Sequence, residues 1–134
     1  MARKRRPLGI DLFAGAGGMS LGFEQAGFDI AAAVEYDPIH CAVHEFNFPG
    51  CAAICRDVAE IDGTYIRRNS RIGDERVDVV FGGAPCQGFS MIGKRAGDAS
   101  ICQKLIRPSG ATRSRQIGDA IDAFRERSGE RAGR

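Results

Sequence analysis

Cys86 follows Pro85 directly, inside Gly82-Gly83-Ala84-Pro85-Cys86-Gln87-Gly88-Phe89-Ser90. The stretch before it, Val77-Asp78-Val79-Val80-Phe81, reads as a buried β-strand. A thiol just past the C-terminal end of a parallel strand lies where open α/β sheets gather their ligands. Cys86 is therefore a candidate nucleophile rather than only a small packing residue. The thiolate is the reactive form, which a lowered thiol pKa would favour, and the cations Lys94 and Arg95 lie near Cys86 in sequence.

A second group lies upstream. Asp11-Leu12-Phe13-Ala14-Gly15-Ala16-Gly17-Gly18 places glycines directly after a first strand. Such glycines let the backbone approach a ligand, and they open a helix whose N-terminus favours negative charge. Position 20 is Ser, so the third glycine of the dinucleotide fingerprint is misplaced, and no Gly-Lys-Ser/Thr follows for a phosphate loop. Glu35 stands 20 residues after Gly15, at the end of a second strand. An acid there can accept both hydroxyls of a ribose. The alternative is a solvated strand-end carboxylate. Glycine loop and acid together favour a nucleoside cofactor. Asp57, after a third strand, either accepts from an adenine amino group or caps the turn that follows. His40, Cys41, His44, Cys51 and Cys55 raise the question of zinc. Their C-x3-C spacing is loose and no second C-x2-C pair accompanies it, so packing is the preferred reading and no metal is assigned.

These residues need elements to place them. Leu8 to Phe13 reads as the first strand, Met19 to Ala26 as a helix stopped by Gly27, and Asp29 to Glu35 as the second strand. Asp37-Pro38 opens a second helix, with an N-cap and a first-turn proline, that ends near Asn47. Ala52 to Arg56 is a weak third strand, a short helix fits Tyr65 to Arg68, and Val77 to Phe81 is the fourth strand. Strand–helix alternation predicts a parallel sheet with right-handed crossovers. After Arg95 the texture turns small, polar and basic. Only Gln116 to Arg127 has helical periodicity, and no fifth strand is visible.

At 134 residues the chain can hold one core. Residues 1–93 carry nine Lys/Arg and twelve Asp/Glu; residues 94–134 carry ten and five. An acidic body with a basic tail permits nucleic-acid contact without requiring it. No apolar run is long enough to cross a membrane. The basic start, Met1 to Pro7, leads into strand and glycine loop instead of a signal-peptide core. Five cysteines without a disulfide pattern then read as reduced thiols of a cytoplasmic protein.

The motifs in order, Asp11 to Phe23, then Glu35, Asp57-Val58, Gly83 to Ser90 and Gly93-Lys94-Arg95, resemble the N-terminal part of a cytosine-C5 DNA methyltransferase over roughly residues 8 to 95. The resemblance implies an incomplete Rossmann-like methyltransferase fold of about four parallel strands, with S-adenosylmethionine as cofactor. It implies that Phe13, Ala14, Gly15, Gly17, Gly18 and Pro85 surround the cofactor, that Glu35 holds its ribose and that Asp57 meets its adenine. Cys86 becomes the nucleophile. Gln87, Ser90, Lys94 and Arg95 become contacts to double-stranded DNA whose target cytosine is flipped out. Thiolate addition at C6 makes the ring an enamine whose C5 attacks the methyl sulfonium. Loss of the C5 proton and expulsion of the thiolate restore the ring.

The family protonates cytosine N3 with the Glu of a Glu-Asn-Val motif and uses a Gln-x-Arg-x-Arg motif; neither stands in these 134 residues. Typical members are more than twice as long. The expected division is therefore 1–95, the N-terminal part of the catalytic domain, and 96–134, a divergent basic tail with one helix around 116–127, as a frameshift or fusion would leave. Three readings stay open: an active methyltransferase, an inactive truncated remnant, or one half of a split enzyme completed by a second chain.

Overall fold

The computed structural model describes residues 4–83, 103–106 and 117–123, with the backbone alone for 103–106. Strand β1 (Leu8–Leu12) leads into helix α1 (Gly18–Gln25), strand β2 (Asp29–Val34), helix α2 (Pro38–Asn47) and strand β3 (Ala52–Ile54). A short 3-10 turn (Val58–Glu60), helix α3 (Gly63–Arg68), strand β4 (Val79–Gly83) and strand β5 (Gln103–Ile106) follow. A last helical stretch, α4, occupies 117–123.

The sheet runs β3-β2-β1-β4-β5. Its first four strands are parallel, as expected of the strand–helix alternation. The fifth is antiparallel and pairs Phe81 with Leu105 and Gly82 with Lys104. This strand corrects the sequence reading, which saw none beyond β4. Gln103-Lys104-Leu105-Ile106 is short and half polar, and a strand of that kind is stabilised by the edge it covers rather than by its own pattern.

Layers cover both faces. Ile10, Leu12, Val34, Ile54 and Val80 pack with Ile66 of α3 and with Ile117, Ala120 and Ile121 of α4. Ile30, Ala33, Val79 and Phe81 pack on the opposite face against Met19 and Phe23 of α1, with Phe28 and Phe48. There Phe23 stacks on Phe81, centroids 3.9 Å apart.

The helix ends follow their sequence signals. Asp37 accepts from the Ile39 and His40 amides at 2.8 and 3.2 Å, as an N-cap should. At the end of α1, Gly27 and Phe28 donate back to the Glu24 and Phe23 carbonyls, the double closure of a Schellman turn. Strand β4 begins two residues later than its apolar run. Asp78 spends its carboxylate on the Leu8 amide and on Arg5, at 2.8 and 2.6 Å. The strand runs on to Gly83, and Gly82 lies so close to the Leu12 carbonyl that any Cβ would strike it.

Candidate functional site

The C-terminal ends of β1, β2, β3 and β4 share one edge of the sheet. Strand order reverses between β1 and β4, so a switch point opens there, the usual place for a ligand in such sheets. Phe13, Glu35 and Gly83 all lie at this edge. Cys86 and Pro85, with Gln87, Ser90, Lys94 and Arg95, fall outside the described residues.

The turn after β1 is bent by three residues at positive φ: Phe13 at 58°, Gly15 at 56° and Gly17 at 105°. For Phe13 that conformation is costly, the kind of strain that collects at functional sites. Gly17 has a second constraint, since a Cβ there would run into the Phe48 ring and stand 3.0 Å from His44 Cδ2. Gly17 is also the N-cap of α1 and has no side chain to cap it. Of the first-turn amides, that of Ser20 is taken by the Asp11 carboxylate.

Glu35 meets this turn. Its Oε2 accepts from the Gly15 amide at 2.8 Å and its Oε1 from the Asp37 amide at 3.1 Å. A carboxylate has about four acceptor positions, so capacity remains for two further donors. His40 Nδ1 lies 3.9 Å from Oε1. Sequence spacing paired the acid with the loop, and the structure brings them into contact. Asp57 caps the 3-10 turn, with Oδ1 accepting from the Ala59 amide at 2.9 Å. The capping alternative is thus realised.

The sequence reading did not bring three further residues together. Asp11, Ser20 and His44 are the buried polar side chains among the described residues, each no more than 1% exposed. Ser20 Oγ donates to Asp11 Oδ2 at 2.6 Å and lies 3.0 Å from His44 Nε2. Burial, partly opposed by the Ser20 bond, pushes the Asp11 carboxyl up to about 7. Burial likewise holds the His44 imidazole below its ordinary 6.5. The only available signal was a polar residue in each of three apolar elements, and nothing in the spacing joins them. Of the other thiols, burial raises Cys41 to about 11 and Cys51 to about 12, so both are inert thiols at neutral pH. Tyr36, directly after Glu35, is 73% exposed.

Fold and edge together define an α/β domain of the Rossmann-like methyltransferase type. The family model for C-5 cytosine-specific DNA methylase matches residues 8–108. Among curated proteins, Type II methyltransferase M.XorII of Xanthomonas oryzae pv. oryzae is 66% identical over 95 residues, which is 71% of this chain and 22% of that protein. Type II methyltransferase M1.HphI of Haemophilus parahaemolyticus is 47% identical over 85 residues, 63% of this chain and 22% of that one. Among solved structures, one described as a DNA modification methyltransferase encoded within a prophage of E. coli aligns with TM-score 0.58 and 42% identity, over 63% of this chain and 24% of its own. The chain belongs to the C-5 cytosine-specific DNA methylase family. It spans about a fifth to a quarter of the length of these relatives.

Proposed function

We propose that this chain is the cofactor-binding part of a DNA cytosine-C5 methyltransferase that uses S-adenosylmethionine and carries the nucleophile Cys86. The observation that supports this reading is the contact between Glu35 and the Gly15 amide at the switch point. It sets an acceptor for ribose hydroxyls beside a turn able to enclose a compact, charged methionine moiety. The α1 N-terminus, whose N-cap Gly17 carries no side chain, suits the carboxylate of that moiety. Phe13, Ala14, Gly15, Gly17 and Gly18 would line it, Asp57 and the exposed Tyr36 ring would meet adenine, and Pro85 would close the site beside Cys86.

S-adenosylmethionine, when bound, supplies an electrophilic methyl group. This chain supplies the sulfur that bonds to cytosine C6 and leaves again once C5 is methylated and has lost its proton. Gln87, Ser90, Lys94 and Arg95 hold double-stranded DNA with the target base flipped out. We place the protein in the cytoplasm with reduced thiols. Among the described residues, no helix is long and apolar enough to cross a membrane. We further propose that 1–95 is family catalytic-domain sequence and 96–134 a divergent tail.

The absence of Glu-Asn-Val from these 134 residues favours a second reading, one half of a split enzyme. Proton delivery to N3 would then come from another chain, and one missing acid–base group costs about 10²–10⁴ in rate. Incubation with labelled S-adenosylmethionine and DNA containing 5-fluorocytosine separates the cases. A covalent adduct that disappears in Cys86→Ser supports catalysis by this chain alone. An adduct formed only after adding a polypeptide that carries Glu-Asn-Val and Gln-x-Arg-x-Arg supports the split enzyme. No adduct under either condition, with no cofactor retained, leaves an inactive remnant.

A further inference from the structure

The three buried polar side chains come from three different elements: Asp11 from β1, Ser20 from the first turn of α1, His44 from α2. Serine sits in the middle and is fully buried, so this is no hydrolase triad, where the base stands between acid and an accessible nucleophile. As a stabilising device it is poorly chosen, because apolar side chains of similar shape commonly serve as well as a buried ionisable network. Its placement suggests another use.

Asp11 and Ser20 bracket the strained turn, so the bond between them closes the loop at its base. His44 continues the chain from Ser20 and stands against Gly17. One helical turn further on, Asn47 Nδ2 donates to the Ala16 carbonyl at 3.3 Å. With Ser20 donating to Asp11, the chain is completed by the His44 tautomer that donates Nε2–H to Ser20. Nδ1 of His44, buried and unpartnered among the described residues, is then a bare acceptor. Phe13 at φ 58° is costly, and such a conformation persists only where neighbours over-determine it.

We propose that Ser20 and His44 are positioning residues: through the Asp11–Ser20–His44 chain they hold the Phe13–Gly17 turn in the form that receives the methyl donor, without touching the donor. This rests on the cofactor reading above. The test uses the full 134-residue chain and the variants Ser20→Ala, His44→Phe and His44→Gln. Amide hydrogen exchange is followed at Gly15 and Gly17, whose N–H groups bond to Glu35 and to the Ala14 carbonyl, and at the β4 amides as reference. Binding of labelled S-adenosylmethionine is measured by equilibrium dialysis.

Ser20→Ala and His44→Phe should speed exchange at Gly15 and Gly17 roughly tenfold beyond any change at β4, the order of one buried hydrogen bond. They should weaken cofactor binding by a similar factor. His44→Gln, which restores a donor facing Ser20, should recover most of both effects. Should Ser20→Ala fail to fold, Ser20→Cys, nearly isosteric with a weak S–H donor, is read the same way. Loop exchange that moves only in step with β4, or a Gln variant as impaired as the Phe variant, overturns the proposal. If the unaltered chain retains no S-adenosylmethionine, the cofactor reading falls, and the exchange data still decide whether the chain of bonds positions the turn.

Discussion

Asp11 and His44 respond to pH in opposite directions. The Asp11 carboxyl ordinarily loses its proton near 3.8 and here keeps it to about 7. The folded chain therefore binds the extra proton in that window. Asp11's contribution to stability is full below about 4 and is lost as pH rises through 7. His44 is held below its ordinary 6.5. Its contribution is present above 6.5 and is lost as pH falls, because the unfolded chain then takes up the proton. Below pH 6.5 the two contributions therefore oppose each other. Asp11→Asn should unmask the histidine, giving stability that rises relative to the parent up to pH 6.5. His44→Phe should unmask the carboxyl, giving stability that falls across the same range. Urea unfolding at three pH values checks this, and variant curves parallel to the parent would refute it. The pairing was not legible in sequence. Ser20 and His44 lie 24 positions apart, and only the packing of α1 beside α2 brings them to hydrogen-bond distance. Glu35 was legible, because the length of one strand–helix–strand unit fixes where the acid emerges relative to Gly15.

Elements β1 to β4 and the two principal helices could be read because their apolar periodicity, caps and glycines agree with one another. Strand β5 could not, since four residues of mixed polarity carry no periodic signal; the β4 edge makes them a strand. The α4 helix fell between these cases. Its periodicity was visible, but its destination was not. Ile117 and Ile121, at 0% and 1% exposed, join the same cluster as Ile10 and Leu12, and Ile117 lies against Gly63 at the start of α3. This segment is thus part of the core of the sheet domain. Ile121→Ala should cost about 2–5 kcal/mol, as for other buried aliphatic truncations, and should do so in one cooperative urea transition. An unchanged midpoint would show that α4 is not packed in solution.

At the scale of the whole molecule, the direction of β5 has a kinetic meaning. Continued strand–helix alternation would set a parallel strand beside the fourth. Here that position is held by a strand running the other way, so the hydrogen-bonding groups of β4 on that side are already engaged. A second polypeptide bringing its own strand to this edge would meet an occupied acceptor and could enter only as β5 leaves. Association would then have a unimolecular gate. The observed rate of complementation should level off as the partner concentration rises, at a ceiling equal to the rate of β5 release. Stopped-flow mixing would reveal the plateau; a rate that stays proportional to concentration would mean the partner docks without displacing the strand. Seen this way, β5 would act as a built-in competitor, limiting how fast such a partner could join and, by the free energy of its own docking, how tightly.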